Sequence, residues 1–281
     1  MRIVCAGHIN WDVTLVVDRL PEPDGEADVH HRVASGGGSA ANTACGLVGL
    51  DAEASLLGSV GDDWVGEQAI DTFESRGVNV VVTRLEDEET TRKYVFVDDT
   101  AQVALFSTAG ANEGLEPGRR EANTMAGAHG LHLTGQDPET AARLATMAEE
   151  RDVPVSFDPG RKVFEREYSA TLERADLVFA TDREADAIDT HVPWRVTKHG
   201  TGGATLSYPG GELTHAGFEV DAVDSTGAGD AFSAGFLAVH RDGGDPERAL
   251  EVGNACGAIA TQTLGSNARL SWSEIRELTR R

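Results

Sequence analysis

Residues 224–237 read DSTGAGDAFSAGFL, a run in which small residues lead directly into an apolar helical pattern. Gly227 and Gly229 let backbone N–H groups approach a ligand closely, and the helix that begins there adds a positive end, so the segment favours a phosphoryl group. A carboxylate beside a bound anion repels it but can accept a proton, which makes Asp230 a candidate general base. The structural alternative is a tight turn in which Asp230 stabilises the helix terminus by about 0.3 to 1 kcal/mol.

A second glycine cluster precedes another helical pattern. Residues 36–44 read GGGSAANTA, and Asn42 lies one turn into the predicted helix. Glycine turns before helices are common, so this segment is a weak signal by itself. The two clusters together are more specific than either alone.

The charge of the chain excludes several classes of function. Its 281 residues include 24 basic and 47 acidic side chains, for a net charge of −23. This argues against a protein that binds nucleic acid through phosphates or docks on an anionic membrane. The acids are dispersed and Lys93, Lys162 and Lys198 are the only lysines. That composition favours a high-salt cytoplasm, where screening weakens self-repulsion; the alternative is an ordinary acidic cytosolic enzyme.

Other compositional features predict a soluble, cytoplasmic enzyme. Cys5, Cys45 and Cys256 are far apart and have no metal-binding spacing, so we expect neither disulfides nor a zinc site. Asn10 and Asp12 interrupt the first apolar run before it reaches the length of a signal peptide. No apolar stretch is long enough for a membrane span.

Apolar runs typical of buried strands alternate with helical patterns along most of the chain. This alternation predicts a three-layer α/β/α fold with a mainly parallel central sheet, in a single domain of residues 1–281. Strands are expected over 3–6, 54–57, 130–133, 153–157, 177–180 and 194–197, and helices over 40–50, 64–76, 139–151 and 228–241.

Two segments, 13–33 and 90–107, instead alternate apolar and polar residues as half-exposed strands do. We predict that they form a small antiparallel sheet, inserted as a lid over the carboxyl ends of the parallel strands, where open α/β sheets bind ligands. Exposed sheet edges commonly pair with another protomer, so a homodimer through this lid is a further prediction.

With these motifs, the chain resembles the ribokinase or PfkB-type family of carbohydrate kinases. Residues 224–237 are similar to the family's second signature at every restricted position, and residues 37–44 are similar to the core of its first. Residues 58–66, 109–112 and 197–204 resemble further landmarks in the same order. The resemblance extends from Gly7 to the C-terminus and implies a ribokinase-like fold.

The resemblance implies a role for each matching residue. It makes Asp230 the catalytic base, with the anion hole formed by the amides of Gly227, Ala228 and Gly229. The sugar-binding residues would be Asn10, Asp12, Gly37, Gly38 and Asn42, and the nucleotide-binding residues Thr197, Gly200 and Asn254. ATP would carry Mg²⁺, which keeps much of its water and would meet Glu184 only indirectly. Activation by K⁺ is also a family property.

Several positions depart from the family pattern. Thr181 replaces an Asn that usually accompanies Glu184, and residues 185–193 are too few for the helix that normally precedes the next strand. Near the expected sugar site, Gln136 stands in place of an acid and Ser39 in place of a lysine, so acceptors other than free ribose are also open. Arg161 could bind a carboxylate or a sugar phosphate in bidentate fashion, or be a solvated surface arginine.

We therefore predict an ATP-dependent kinase that transfers the γ-phosphoryl group to a hydroxymethyl group of a carbohydrate. The acceptor classes left open are ribose, fructose, a keto-deoxy sugar acid and a sugar phosphate. One alternative is a nucleoside kinase of the same family, since Asn10, Asp12 and Asn42 would serve both acceptors. A second alternative is a catalytically idle protein that binds a sugar or a nucleotide, although the intact Asp230 argues against it.

Overall fold

The computed structural model describes residues 1–100, 102–266 and 268–280, and Val103 without its side chain. Ala101, Asn267 and Arg281, which the predicted domain spans, lie outside the described residues.

Strands and helices alternate along the described chain. The strands are β1 Arg2–Ala6, β2 Asn10–Val17, β3 Val29–Gly37, β4 Glu53–Gly61, β5 Asn79–Leu85, β6 Arg92–Asp98, β7 Val103–Ser107, β8 Gly130–Thr134, β9 Val155–Asp158, β10 Leu177–Thr181, β11 Trp194–Lys198, β12 Ala204–Tyr208 and β13 Gly211–His215. The α-helices are α1 Ser39–Gly49, α2 Trp64–Glu74, α3 Arg119–Met125, α4 Pro138–Glu149, α5 Ser169–Leu172, α6 Asp182–Ala185, α7 Ala228–His240, α8 Pro246–Thr261 and α9 Trp272–Leu278. Short 3₁₀ helices cover Ala111–Glu113, Gly160–Phe164 and Gly200–Gly202.

The large sheet has the order β13-β12-β11-β10-β9-β8-β1-β4-β5. Pairing is parallel from β5 to β11, and antiparallel where β12 and β13 extend the edge. The prediction of a mainly parallel sheet is confirmed. The chain leaves β1 towards β4 and β5 and later returns through β8 to β11, so the strand order reverses beside β1. Ligands of open α/β sheets bind at such a reversal.

Helices cover both faces of this sheet. On one face Phe179 of β10 packs edge-on against Phe236 of α7, with ring centroids 5.5 Å apart, in a core that also includes α1, α8 and α9. On the other face Phe157 of β9 packs against Tyr168 at 5.1 Å, in a core with α4. The three predicted layers are therefore present.

Three of the helices begin at an aspartate cap, whereas α1 and α7 follow glycines and do not. The side chains of Asp63, Asp137 and Asp245 accept hydrogen bonds from the first-turn amides of α2, α4 and α8. In contrast, α1 and α7 begin after Gly38 and Gly227, which have φ angles of 111° and 76°, and no described side chain caps either helix. Only glycine adopts such angles readily, and both helices begin without a side chain over their first amides, although the Ala228 amide donates to the Ser225 carbonyl at 3.2 Å.

A second sheet, which we call the lid sheet, has the order β3-β2-β6-β7. The prediction of a small sheet from segments 13–33 and 90–107 is confirmed, although β2 begins earlier, at Asn10. The expectation of a purely antiparallel sheet is wrong, because β2 and β6 are parallel neighbours. Each segment forms its own antiparallel hairpin, and the two hairpins join through strands that run in the same direction.

The structure also bears on the cysteines and on the expected absence of a membrane span. Cys5, Cys45 and Cys256 are buried free thiols. Among the described residues, no helix combines the length and apolar character required to cross a bilayer.

Candidate active site

A cavity of about 880 Å³, here the central cavity, lies at the carboxyl ends of the parallel strands. Thr134, Asp158, Thr181 and Lys198 are the last residues of β8, β9, β10 and β11, and all four line it. The lid sheet contributes further lining residues, and α7 contributes Asp230. The sheet topology therefore gathers residues from distant parts of the sequence around one space.

Asp230 lies in the first turn of α7, beside the first turn of α1. Nδ2 of Asn42 donates a hydrogen bond of 2.7 Å to Oδ2 of Asp230. Burial raises the pKa of Asp230 to about 6, and this rise outweighs the lowering effect of the Asn42 hydrogen bond; the charge of Asp158 raises it further and that of Lys198 lowers it. A carboxyl group with such a pKa can accept a proton near neutral pH.

Lys198 is the main cation beside Asp230. Its Nζ donates a hydrogen bond of 2.7 Å to Oδ2 of Asp158, and each side chain is only 13% exposed. Burial lowers the pKa of Lys198, but the attraction of Asp158 and then of Asp230 outweighs it and raises the pKa above its ordinary value. Lys198 is therefore a permanently charged group at this site.

A second cavity of about 640 Å³, here the outer cavity, adjoins the first. Lys198 lines both cavities. The first residues of α7, Ala228 and Gly229, line the outer cavity, whereas Asp230 lines the central one. Apolar side chains also line the outer cavity: Phe218, Val220 and Ala258.

Two of the three predicted nucleotide-binding residues line the outer cavity. Gly200 and Asn254 line it, and the buried Asn254 donates from Nδ2 to the Leu250 carbonyl at 2.8 Å. Thr197 is not among the described lining residues; Lys198, the next residue in β11, is. Successive side chains on a strand point to opposite faces, so the side chains of Thr197 and Lys198 lie on opposite sides of the sheet. The rarity of lysine in this chain was the available signal for Lys198.

The predicted sugar residues lie where the lid sheet joins the body of the protein. Asn10 is fully buried and lines the central cavity. A Cβ atom at Gly37 would collide with the Asp12 carboxylate, and one at Gly38 with the carbonyl of His8. Burial raises the pKa of Asp12, against the opposing charge of Lys93. These glycines therefore permit the close approach of β3 to β2.

Asn112 joins this group, although its individual role was not predicted. Its Nδ2 donates a hydrogen bond of 2.6 Å to Oδ1 of Asn10, and both residues line the central cavity. Four buried polar atoms of these residues have no hydrogen-bond partner among the described residues: Nδ2 of Asn10, Oδ1 of Asp12, Oδ1 of Asn42 and Oδ1 of Asn112. Buried polar atoms are nearly always paired, so they fit hydroxyl groups of a ligand.

Glu184 lines the central cavity but has a structural partner. Its Oε2 accepts a hydrogen bond of 2.8 Å from the amide of Thr181 in a capping box at the start of α6. No cluster of three or more His, Cys, Asp or Glu side chains suited to a metal ion occurs within the described ranges.

Comparison with known proteins agrees with this arrangement. The family model for pfkB family carbohydrate kinases matches residues 1–273. The chain belongs to the PfkB family. It is therefore a carbohydrate kinase, a phosphotransferase with an alcohol acceptor, as the two glycine motifs predicted.

Among its PfkB relatives, the ATP-dependent ribose-1-phosphate kinase of Halopiger xanaduensis is 47% identical over 279 residues, covering 95% of this chain and 94% of that protein. The nucleoside kinase of Methanothermobacter thermautotrophicus is 28% identical, with 95% and 92% coverage. The crystal structure of Methanocaldococcus jannaschii nucleoside kinase, a member of the ribokinase family, superposes with a TM-score of 0.87 at 24% identity, covering 100% of this chain and 98% of that one. The predicted ribokinase-like fold is confirmed.

Proposed function

We propose that this protein is an ATP-dependent ribose-1-phosphate kinase that phosphorylates the 5-hydroxymethyl group of the sugar. The 47% identical relative with that name supports this acceptor, and the nucleoside kinase relative shares only 28% identity. Gln136 and Ser39 agree, because they replace residues expected for free ribose. The nucleoside alternative has no comparable support.

One structural observation supports separate binding places for the phosphate donor and the acceptor. The central and outer cavities meet at Lys198, with Asp230 on one side and the first amides of α7 on the other. We propose that ATP occupies the outer cavity, with its base near Asn254 and its phosphates directed towards Gly229 and Lys198. The sugar would occupy the central cavity.

In this proposal Asp230 accepts the proton of the 5-hydroxyl group. The freed oxygen attacks the γ-phosphorus, the bond from that phosphorus to the β–γ bridging oxygen breaks, and ADP leaves. Asn42 would hold the carboxylate in place through its 2.7 Å hydrogen bond. Positioning and proton transfer of this kind are the main contributions that a protein makes to phosphoryl transfer.

Negative charge develops on the phosphoryl oxygens during transfer. We propose that the amides of Gly227, Ala228 and Gly229 bind these oxygens, because α7 starts without a side-chain cap. Lys198 would add a full positive charge close to them, since a Cβ atom added to Gly229 would lie 3.3 Å from its Nζ. Preorganised donors of this type stabilise the transition state.

The sugar hydroxyl groups would bind at the junction of lid and body. Asn10, Asp12 and Asn42, with the close approach permitted by Gly37 and Gly38, are the proposed contacts. The unpartnered polar atoms of Asn10 and Asn42 support this assignment. Sugar hydroxyls both donate and accept, so they satisfy both kinds of atom.

Mg²⁺ and K⁺ are proposed as the metal requirements. Mg²⁺ would be held mainly by ATP phosphates and water, with Glu184 nearby, because this ion gives up its water reluctantly. When bound, Mg²⁺ neutralises charge on the phosphates. Titrating each ion into a metal-depleted assay tests both requirements.

The salt environment and the oligomeric state of the enzyme are also proposals. The net charge of −23 and the scarcity of lysine support a high-salt cytoplasm, where activity should increase with KCl. A homodimer through the edges of the lid sheet is supported by the exposure of Val29, at 53%, on edge strand β3. Sedimentation at working salt tests the dimer, and a monomer would contradict it.

The kinase assay measures ATP consumption in concentrated KCl with magnesium. Acceptors are ribose 1-phosphate, ribose, fructose, fructose phosphates, 2-keto-3-deoxygluconate and nucleosides. We expect turnover on ribose 1-phosphate that is lost in Asp230→Asn. Preference for a nucleoside would replace this proposal with the alternative, and no turnover on any acceptor would favour an idle binding protein.

A further inference from the structure

The lysines of this chain have an unusual distribution. The sequence contains Lys93, Lys162 and Lys198 and no other lysine, in a chain with 47 acidic residues. All three line the central cavity, together with Arg161 and Arg166. The lysines of this acidic chain, unlike most of its 21 arginines, are therefore gathered around one space, where an anion would meet positive charge.

Most of these cations already have an acidic partner. Lys198 pairs with Asp158 at 2.7 Å and Lys162 with Glu165 at 3.0 Å. Arg166 pairs with Glu113 at 2.7 Å. The carboxylates offset the charges of Lys162 and Arg166, and Lys198 faces the ATP phosphates in the proposed function, so a further anion needs other partners.

Two cations differ from this set. Neither the side-chain amine of Lys93 nor the guanidinium of Arg161 makes a hydrogen bond or a close ion pair with any residue in the described ranges, although Lys93 pairs through its backbone in the lid sheet. Lys93 lies on β6 of the lid sheet, in register with Asp12 of β2, and its charge reaches that partly buried acid. Arg161 lies on the body of the protein, in the 3₁₀ helix that follows β9. The unpaired charges therefore come from both sides of the cavity.

The location of these two residues argues against ATP as their ligand. Both line the central cavity, and neither is among the described residues that line the outer cavity. Lys198 is the cation shared by the two spaces. A second phosphate, carried by the acceptor, is the group that remains to be neutralised.

We propose that Lys93 and Arg161 together bind the phosphate group of the acceptor, as a subsite for a sugar phosphomonoester. The arginine fork suits two phosphate oxygens and the lysine adds a point charge. This inference rests on the proposed function, in which the acceptor is ribose 1-phosphate. It also gives the lid a specific role, because the acceptor's phosphate connects the lid sheet to the body.

The test compares Arg161→Gln and Lys93→Gln with the wild-type enzyme. Each variant should raise KM for ribose 1-phosphate roughly 10- to 100-fold, the effect of losing one charge-assisted contact. KM for ATP should change by less than about twofold, since uniform loss of acceptor binding leaves the donor site intact. Lys162→Gln is the matched control: it removes a neighbouring charge that Glu165 already neutralises, so its KM values should stay near those of wild type.

The results separate this inference from the proposed function. Turnover of ribose 1-phosphate with unchanged KM in both variants would overturn the subsite and leave the kinase assignment standing. An increase confined to KM for ATP would also overturn it. If wild type shows no turnover, thermal shifts with ribose 1-phosphate and with ribose still test the subsite. Stabilisation by the phosphorylated sugar alone, lost in the double variant, would support the subsite, and equal shifts would exclude it.

Discussion

Asn42 and Asp230 are 188 positions apart in the chain, yet a hydrogen bond of 2.7 Å joins Nδ2 of one to Oδ2 of the other. Each residue lies in the first turn of a helix that begins after a glycine. The hydroxyl of Thr43 adds a weaker contact of 3.4 Å to the backbone carbonyl of Asp230. Two separate sequence motifs therefore act as one unit in the folded protein.

Asp230→Asn should reduce kcat by about a hundredfold or more, because the amide cannot accept the hydroxyl proton. KM values should change little. Steady-state kinetics on ribose 1-phosphate provide the measurement. The control is Asp245→Asn at the start of α8, which replaces one good helix cap with another and should retain full activity.

The pH dependence should report the environment of Asp230. Its pKa of about 6 means that kcat/KM falls as the pH drops through about 6 and the base becomes protonated. Because the Asn42 hydrogen bond lowers this pKa, Asn42→Ala should move the acid limb to higher pH. Thr43→Ala, which leaves the carboxylate untouched, should not move it. An unchanged midpoint in Asn42→Ala would argue against Asp230 as the titrating group.

The free energy of unfolding should decrease as the pH rises, because of the same carboxyl group. Its folded-state pKa of about 6 lies above the ordinary value of 3.8, so the unfolded chain loses this proton first as the pH rises. The cost to stability grows between these values and is complete above about pH 6. Asp230→Asn should therefore raise the thermal midpoint, by more near pH 8 than near pH 5. Thermal denaturation at both pH values measures the difference, and a constant difference would contradict the expectation.

Lys198 and Asp158 should be strongly coupled. Lys198→Met leaves a buried carboxylate without its partner, which should destabilise the fold by roughly 3 to 5 kcal/mol. The double variant Lys198→Met/Asp158→Asn should recover much of that stability, but not kinase activity, because the cation at the phosphates is still absent. Denaturant unfolding of the wild type, Lys198→Met, Asp158→Asn and the double variant completes the cycle. Additive effects would show that the pair is not coupled.

Gly37 should be intolerant of even a methyl group. Gly37→Ala would push against the Asp12 carboxylate and displace a proposed sugar contact. We expect a higher KM for the acceptor and little change in KM for ATP. Gly118→Ala, where a Cβ would meet only ordinary contacts of 3.6 Å and longer, is the matched control. Equal behaviour of the two variants would argue against a special role for Gly37.

Most strands of the main sheet and the helices α1, α2, α4 and α7 were predictable from sequence because their signals are local. The predicted helix over 228–241 differs from α7 by one residue at its end. The edge strands β12 and β13 and the helix α8 were not predicted. Their positions depend on packing against distant elements, such as the extensive contact of α8 with α7, rather than on a period in the sequence.

The site was predictable only where motifs carry it. Asp230, Asn42 and the glycines before α1 and α7 stand in recognisable segments, whereas Lys93 belongs to an ordinary strand and Lys198, although within the recognised segment 197–204, was not predicted as a site residue. Their relevance depends on which residues the sheet order brings together, and β2 joins β6 by a parallel pairing that hairpin patterns do not indicate. Sequence reasoning likewise left Arg161 between a phosphate ligand and a solvated side chain.

The clustering of lysine has a practical consequence for work with this protein. The lysine amines to which an amine-reactive dye, cross-linker or immobilisation surface would couple are those of Lys93, Lys162 and Lys198. Because all three lysines line the central cavity, routine amine labelling modifies the active site itself. Protection of these amines by an added substrate would serve as a direct footprint of occupancy, and attachment through an engineered surface cysteine would leave the site free.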